Sequence, residues 1–371
     1  MEIGTYVSEI QGPTELRRLR EVGVSTLFGR ASKKLASIAS REGIRYYCVD
    51  WVFKLPSSGS TRKVLRDYLG NDRRWAGGTS GCPANRRLVE VAARRMIRTL
   101  ASSEFDGLML DGIRFPSFVE GLSTFLTCFC SNCLREADRC GIDLESIRRS
   151  IPSILKHLTR ETNALSLVQN FLTAIDSLRK VRSSIITTVV ETFRDRVDAS
   201  CPGKELGAFI FSPSIARSVG QDYEQLGGLL DLVSPMLYTS GTGAACINAE
   251  IAGLARMLAA IKPNITQSEI LAACYGQLGI HGRDLPLNPQ ALRRNGLPAW
   301  VVKSEIQSAR SKLVKVSRLV PILMLSDQPA RSRIETAHAR RAEADGVAFF
   351  QLNPNRMNCL EQAIHAWTRT G

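Results

Sequence analysis

The stretch FDGLMLDGIRFPSF, residues 105–118, carries the observation on which the fold prediction depends. Its apolar run is typical of a buried strand, yet it contains Asp111 and reaches Arg114 just before a Phe-Pro stop. Burying charge is costly, so a buried strand gains nothing from either residue. We therefore expect the strand to end at an opening, where the two charged side chains meet solvent or a ligand.

Apolar runs of the same kind recur along the chain, with helical patterns between them. They cover residues 3–9, 24–30, 44–53, 105–115, 206–213, 232–238, 319–325 and 346–353. Apolar strands that alternate with amphipathic helices are typical of a parallel sheet covered by helices. Eight such units favour a closed (β/α)8 TIM barrel. The turn after the first run has one glycine and a proline, which argues against a dinucleotide-binding fold.

The domain organisation follows from the chain length. A barrel of this kind commonly takes about 250 residues, and this chain has 371. We predict one domain over residues 1–371, with a long helical insertion after the fourth strand and extra helices between the sixth and seventh. Within it, residues 117–160 form an inserted segment that contains several cysteines.

Composition sets limits on location and partners. No apolar run approaches the length of a membrane helix and the N-terminus lacks a signal-peptide pattern, so we predict a cytoplasmic protein without membrane contact. The net charge is +14, but the basic residues are spread over the polar faces of many helices. This pattern indicates a solvated basic surface, and a nucleic-acid partner is the less favoured interpretation.

Polar side chains follow every predicted strand. In strand order they are Glu9, Arg30, Asp50 with Trp51, Asp111 with Arg114, Ser212, Tyr238, Asp327 with Gln328, and Gln351 with Asn353. The active sites of TIM barrels lie at the C-terminal ends of the strands, so these side chains converge on one opening. Taken singly, an aspartate there can also cap the next helix, and an aromatic residue can close the core.

Paired carboxylates around such an opening suit glycoside hydrolysis, in which one acid protonates the leaving oxygen and the other attacks or activates water. The candidate catalytic residues are Asp111, Asp50 and Asp327. The candidate substrate-binding residues are Glu9, Arg30, Trp51, Arg114, Tyr238, Gln351 and Asn353. Arg114 has two interpretations: it pairs with Asp111 and keeps it ionised, or it contacts substrate hydroxyls or an anionic sugar.

The segments FDGLMLDGIRFP, CFCSNC, LGAFIFSPS and DLVSPMLY resemble those of uncharacterised bacterial and archaeal TIM-barrel proteins that are classed as hypothetical glycoside hydrolases. In the related α-amylase and α-galactosidase clans, the aspartate that ends the fourth strand is the nucleophile, so the resemblance implies this role for Asp111. Those clans carry the acid/base on the fifth or sixth strand, where this chain has no carboxylate. The second acid is then Asp50, Asp327, Glu9 or Asp222.

Ten cysteines without a secretory signal argue against a disulfide framework. Cys128, Cys130 and Cys133 lie within six residues and Cys140 follows, which matches the close spacing of structural zinc sites. Reduced cysteines packed in the loop are the alternative. The four histidines are scattered, so a histidine-based metal centre is not expected, and the reaction above requires no cofactor.

Three hypotheses about function result. The first is a carbohydrate-active enzyme of the glycoside hydrolase type, and the second is an inactive barrel that binds a saccharide or a partner at the same opening. The third is a basic nucleic-acid-associated protein. The first requires a second carboxylate within about 10 Å of Asp111. The third requires arginines on one face and binding that weakens steeply with salt.

Overall fold

The apolar runs form a closed parallel barrel in the structure, a computed structural model that describes residues 2–7, 12–55, 64–102, 104–313 and 317–368. In this part of the chain the barrel has eight strands, of which the seventh is interrupted. They are β1 (Glu2–Val7), β2 (Thr26–Gly29), β3 (Arg45–Trp51), β4 (Gly107–Asp111), β5 (Glu205–Phe211), β6 (Leu232–Met236), β7 (Arg318–Leu319 and Ile322–Met324) and β8 (Gly346–Phe350).

Each strand pairs in parallel with the next one, and β8 pairs with β1 through partners such as Glu2 and Gly346. The predicted TIM barrel is therefore confirmed. Between β3 and β4 the register places Trp51 opposite Asp111. The C-terminal ends of these two strands thus lie side by side at the same edge.

Helices follow the strands. They are α1 (Pro13–Glu21), α2 (Lys33–Arg41), α3 (Arg86–Leu100), α4 (Leu122–Phe125), α5 (Ser131–Arg139), α6 (Leu144–Leu158), α7 (Ala164–Ala174), α8 (Asp176–Ser200), α9 (Pro213–Ala216), α10 (Tyr223–Gly227), α11 (Ile247–Ile261), α12 (Gln267–Gln277), α13 (Pro289–Asn295), α14 (Trp300–Lys312), α15 (Pro329–Arg340) and α16 (Met357–Thr368). Helices α4 to α8 lie between β4 and β5, and α11 to α14 lie between β6 and β7. The assignment of residues 117–160 as an inserted segment stays a prediction.

Helix α3 shows how the sequence builds this layer. The Asn85 side chain accepts a hydrogen bond from the Leu88 amide at 3.2 Å and so caps the first turn. Leu88, Ala92 and Met96 recur at helical spacing and are buried. The helix therefore packs its apolar side inward, and Arg95 is exposed next to this side. No helix in the described ranges is long and apolar enough to span a membrane.

A polar network closes the N-terminal end of the barrel interior. Arg318 donates hydrogen bonds to Glu2, to Glu205 and to the Tyr47 hydroxyl. Gly107 leaves room for this network, because a Cβ atom there would lie 2.5 Å from the Tyr47 ring. In the described residues, this end of the barrel interior is therefore occupied by the polar network.

Candidate functional site

Asp111 ends β4 and points into the barrel. Side chains alternate between the two faces of a strand, so Asp111 lies on the same inward face as Gly107 and Met109. One of its carboxylate oxygens, Oδ1, accepts a hydrogen bond of 2.7 Å from the Gly112 amide. Gly112 has a φ angle of +67°, and a Cβ atom at this position would lie 2.4 Å from the Trp51 ring. A glycine after Asp111 therefore allows the chain to turn while Trp51 packs against it.

The pKa of Asp111 is raised to about 6, chiefly because burial disfavours the charged carboxylate, with a smaller contribution from Asp50. The Gly112 amide and the Arg114 charge lower the pKa, but burial outweighs them. The carboxyl group therefore holds a proton at mildly acidic pH and can donate it. This property suits a general acid better than a permanently ionised nucleophile.

Aromatic side chains surround Asp111. The Trp51 indole donates a hydrogen bond of 2.6 Å from Nε1 to the Ser80 hydroxyl, which fixes the ring plane. Tyr238 stacks on Phe350 at a centroid distance of 5.4 Å, and Tyr6 meets Phe350 edge-on at the same distance. After burial, the Asp111 charge is the next largest cause that raises the pKa of both Tyr6 and Tyr238, so both hydroxyls lie near the carboxylate.

A cleft of about 300 Å³ opens at this end of the barrel and continues along α3. Its polar and aromatic lining consists of Tyr6, Arg30, Asp50, Trp51, Lys54, Thr99 and Asp111. The structure thus brings together four of the predicted site residues from β2, β3 and β4. Lys54 was missed from the sequence, although it follows Trp51 by only three positions.

Asp50 lies in the same cleft but on the face of β3 that is turned toward α3. Its Oδ2 accepts a hydrogen bond from Arg95 Nε at 2.8 Å, and its Oδ1 accepts one from the Trp51 amide at 2.8 Å. Its side chain is 36% exposed. Among the predicted catalytic carboxylates it is the one that shares a cleft with Asp111, and an ion pair holds it there.

The remaining predicted residues lie elsewhere. Arg356 donates to Asp327 Oδ1 at 2.8 Å and to Gln351 Oε1 at 2.8 Å, and the Asp327 side chain is 83% exposed. Asn353 accepts from the Asn355 amide at 3.0 Å and caps a short turn. The cleft of Asp111 is not lined by Asp327, Gln351 or Asn353. Glu9 lies outside the described residues.

The predicted pairing of Arg114 with Asp111 needs a correction. The guanidinium of Arg114 lies between the Trp75 and Phe211 rings, 4.9 and 5.1 Å from their centroids, and forms an ion pair of 3.4 Å with Glu120. Arg114 is 4% exposed, so it is built into the wall of the barrel. Arg114 pairs with Glu120 and not with Asp111, because Glu120 reaches the guanidinium from the loop after β4.

Two further carboxylates belong to the loops above the barrel. Glu250 of α11 is fully buried, and burial raises its pKa to about 7. It accepts hydrogen bonds from the Ala245 and Val119 amides at 3.2 and 3.4 Å, and so joins the loops after β4 and β6. Asp222, which the sequence offers as a second acid, caps α10 by accepting from the Glu224 amide at 3.1 Å.

Four cysteine sulfurs lie within 4.8 Å of one another, from Cys82, Cys128, Cys130 and Cys133. The fourth member is therefore Cys82, and the expectation of Cys140 is corrected. Cys140 follows α5 at an exposed position, where its sulfur lies 3.0 Å from the Ser184 hydroxyl. Cys82 is 46 residues before Cys128 and was missed because only the folded chain brings the two segments together.

The geometry of this cysteine cluster fits a tetrahedral metal ion. The Cys82 sulfur is 3.5 Å from that of Cys130 and 3.4 Å from that of Cys133. Four sulfurs at about 2.3 Å from a central zinc ion are separated by about 3.8 Å, so a small outward shift of these sulfurs would admit the ion. The cluster is also connected to the cleft, since Gly81 next to Cys82 donates its amide to the Phe53 carbonyl at 2.9 Å and Ser80 holds Trp51.

Comparisons with known proteins give structural matches without sequence matches. No protein-family model and no curated protein sequence matches this chain. A β-galactosidase from the haloarchaeon Halorubrum lacusprofundi is similar with a TM-score of 0.62 at 13% identity, over 99% of this chain and 57% of the other. The β-amylase catalytic domain from Paenibacillus polymyxa gives a TM-score of 0.57 at 11% identity, over 100% and 99%.

A β-galactosidase from Marinomonas ef1 is also similar, with a TM-score of 0.58 at 10% identity, over 99% of this chain and 59% of the other. This chain therefore spans little more than half the length of the β-galactosidases that it matches. At such identities the likeness establishes the fold. The barrel is a TIM barrel of the kind found in glycoside hydrolases.

Proposed function

We propose that the protein is a glycoside hydrolase-like enzyme that cleaves a glycosidic bond at the C-terminal opening of the barrel. The observation that carries this proposal is the partly buried carboxyl group of Asp111 in a cleft walled by Trp51 and Tyr6, with a pKa of about 6. A protonated carboxyl beside aromatic rings can protonate a leaving oxygen while the rings contact the sugar. The fold shared with β-galactosidases supports the same conclusion.

The proposed chemistry assigns different roles to the two carboxylates. Asp111 donates its proton to the glycosidic oxygen as the bond to the anomeric carbon breaks. Asp50 is the proposed second carboxylate because it lines the same cleft and its charge acts on Asp111. For this role, Asp50 would have to leave Arg95 and turn toward the sugar, where it would stabilise the developing positive charge or activate a water molecule.

One observation favours the alternative of a barrel that binds a saccharide without cleaving it. The carboxylate of Asp50 is held by Arg95 on the α3 side, and Asp327 is 83% exposed in its pair with Arg356. A cleft with one available carboxyl group would retain the sugar through its aromatic walls and leave the bond intact. Binding without turnover would then be observed.

A panel of aryl glycosides tests the choice between the two. The wild-type protein is compared with Asp111→Asn and Asp50→Asn, and Asp327→Asn serves as the matched control outside the cleft. The proposal expects a loss of at least a hundredfold in Asp111→Asn, a large loss in Asp50→Asn and no change in the control. Equal rates for wild type and Asp111→Asn would remove Asp111 from the mechanism, whereas binding without turnover would establish the alternative.

We also propose that the cysteine cluster of Cys82, Cys128, Cys130 and Cys133 holds one structural zinc ion. The four sulfurs supply a complete tetrahedral set, which leaves no open position for a substrate or water molecule. The ion would connect the loop that carries Ser80 and Trp75 to the start of α5. Its contribution is then to the shape of the cleft wall, and the proposed cleavage needs no other cofactor.

A further inference from the structure

Two cationic side chains in the cleft of Asp111 have no anionic partner among the residues that the structure describes. Arg30 follows β2 and Lys54 follows β3, both exposed, and both line the cleft. Within the described part of the chain, neither side chain forms an ion pair or a hydrogen bond. By contrast, the neighbouring arginines are paired: Arg95 with Asp50, Arg114 with Glu120 and Arg356 with Asp327.

The main-chain positions of both residues are fixed. The Arg30 carbonyl accepts a hydrogen bond of 2.7 Å from the Tyr46 hydroxyl, which belongs to the adjacent strand. Lys54 forms an antiparallel bridge with Ser80, the residue that also holds the Trp51 indole. The two cations therefore start from anchored backbone at the rim, and each can extend over the same cleft.

The charged side chains that line the cleft do not balance one another. Arg95 neutralises Asp50 at 2.8 Å, so Asp111 is the carboxylate that remains to balance Arg30 and Lys54 in the described lining of the cleft. Arg30 lines the same cleft as Tyr6 and Asp111, and its charge lowers the pKa of Tyr6 against the effects of burial and Asp111. The two unpaired cations thus give the cleft an excess of positive charge.

We propose that the cleft selects saccharides that carry an anionic substituent, which Arg30 and Lys54 bind while the aromatic walls contact the sugar ring. The guanidinium of Arg30 can hold a carboxylate or a sulfate through two parallel hydrogen bonds, and Lys54 adds a point charge. The volume of about 300 Å³ is at the lower end of small-molecule sites, so the bound unit is one or two sugar residues.

This inference deepens the proposed function, because it names the substrate class of the same cleft. Its test is a binding experiment on the full chain, so that it does not depend on cleavage. Quenching of tryptophan fluorescence is titrated with three disaccharides, one containing a hexuronate, one carrying a sulfate ester and one neutral. The first two distinguish a carboxylate from a sulfate ester as the recognised group.

The variants are Arg30→Gln and Lys54→Gln, and the matched control is Arg256→Gln. Arg256 is an exposed arginine that lines a separate cleft beside α11, so its substitution changes the net charge by the same amount. We expect at least one of the anionic disaccharides to bind tenfold or more tightly than the neutral one. Each cleft variant then loses about tenfold for that ligand and little for the neutral disaccharide, with no effect of the control.

Several results would overturn the inference. These are a neutral disaccharide that binds as tightly as both anionic ones, the absence of binding by all three, and anionic binding that Arg30→Gln and Lys54→Gln leave unchanged. Its failure differs from failure of the proposed function. Cleavage of neutral glycosides that depends on Asp111 would contradict only the proposed substrate class. Charge-dependent binding without cleavage would contradict only the proposed hydrolase activity.

Discussion

Trp51 and Asp111 are register partners across the β3–β4 pair, and both side chains face the interior of the barrel. Side chains in such positions are within contact distance of a common ligand, since directly opposed residues on paired strands project to the same face. The proposed function therefore has the indole and the carboxyl group contact one bound molecule. In the proposed function, a sugar that stacks on Trp51 presents its glycosidic oxygen toward Asp111.

The pH dependence of activity follows from Asp111. If its carboxyl group donates the proton, the pH profile of kcat/KM falls as pH rises above about 6, where the free enzyme loses this proton. The measurement is hydrolysis of an active aryl glycoside between pH 4 and 9. A profile that rises through pH 6 would instead assign the ionised form to the reaction and restore the nucleophile role implied by the family resemblance.

Stability should depend on the same group. Because the folded pKa of about 6 lies above the unfolded value of 3.8, the native state holds the proton more tightly. The contribution of this group to the free energy of unfolding is fully present below about pH 4. It is lost as pH rises through 6, at a cost of about 3 kcal/mol. Asp111→Asn removes this cost, so it should exceed the wild type in free energy of unfolding at pH 8 and match it at pH 4.

Urea unfolding at the two pH values measures this difference, and Asp327→Asn, which changes an exposed carboxylate, is the control. The control should differ from the wild type by less than about 1 kcal/mol at both pH values. An Asp111→Asn protein that is less stable than the wild type at pH 8 would show that the carboxylate is stabilised in the folded state.

Arg114 is expected to be structural. In Arg114→Met the carboxylate of Glu120 loses its partner, and the Trp75 and Phe211 rings lose the cation between them. Removing one member of a buried pair costs about 3–5 kcal/mol. The exposed pair of Arg66 and Asp72 provides the control, since Arg66→Met should change the free energy of unfolding by less than about 1 kcal/mol. Similar small changes in both variants would contradict this account.

The zinc proposal predicts one zinc ion per chain in protein purified without chelator. Cys82→Ser should lose the ion and unfold at lower temperature, because a three-thiolate site binds zinc less tightly. Cys140→Ser should keep both the ion and the melting temperature, since its sulfur lies apart from the cysteine cluster. Metal analysis and thermal unfolding measure both properties.

Either of two outcomes would contradict the zinc proposal. In the first, wild-type protein contains no zinc and its melting temperature does not respond to a chelator. In the second, Cys140→Ser loses the ion while Cys82→Ser retains it. Loss of the ion in Cys82→Ser should also change the tryptophan fluorescence, because the adjacent residues Ser80 and Gly81 support Trp51 and Phe53.

The sequence predicted the barrel because every strand has an apolar core and a polar end, and this pattern is local. Arg30, Asp50, Trp51 and Asp111 were predicted together for the same reason, since parallel strands place their ends at one edge. Asp327 and Gln351 followed the same pattern, but Arg356 holds both of them away from the cleft. The strand pattern does not determine which polar ends a neighbouring side chain will neutralise.

The features that the sequence did not reveal depend on contacts between distant segments. Cys82 approaches Cys128 only when the loop before α3 folds against the loop after β4. Glu250 has the helical spacing of an ordinary residue of α11, yet it is fully buried and accepts two loop amides. Burial of this kind depends on how helices pack over the barrel opening, which periodicity along one helix does not specify.

The ion pair between Arg318 and Glu2 joins residues 316 positions apart in the chain. Contacts of such separation are among the last to form, since the cost of closing the intervening loop is met before they contribute. During synthesis, the ring of strands cannot close until β8 has left the ribosome, because β8 is the strand that pairs with β1. Until then the edge of β1 that pairs with β8 has no partner, and unpaired strand edges of this kind are prone to aggregation.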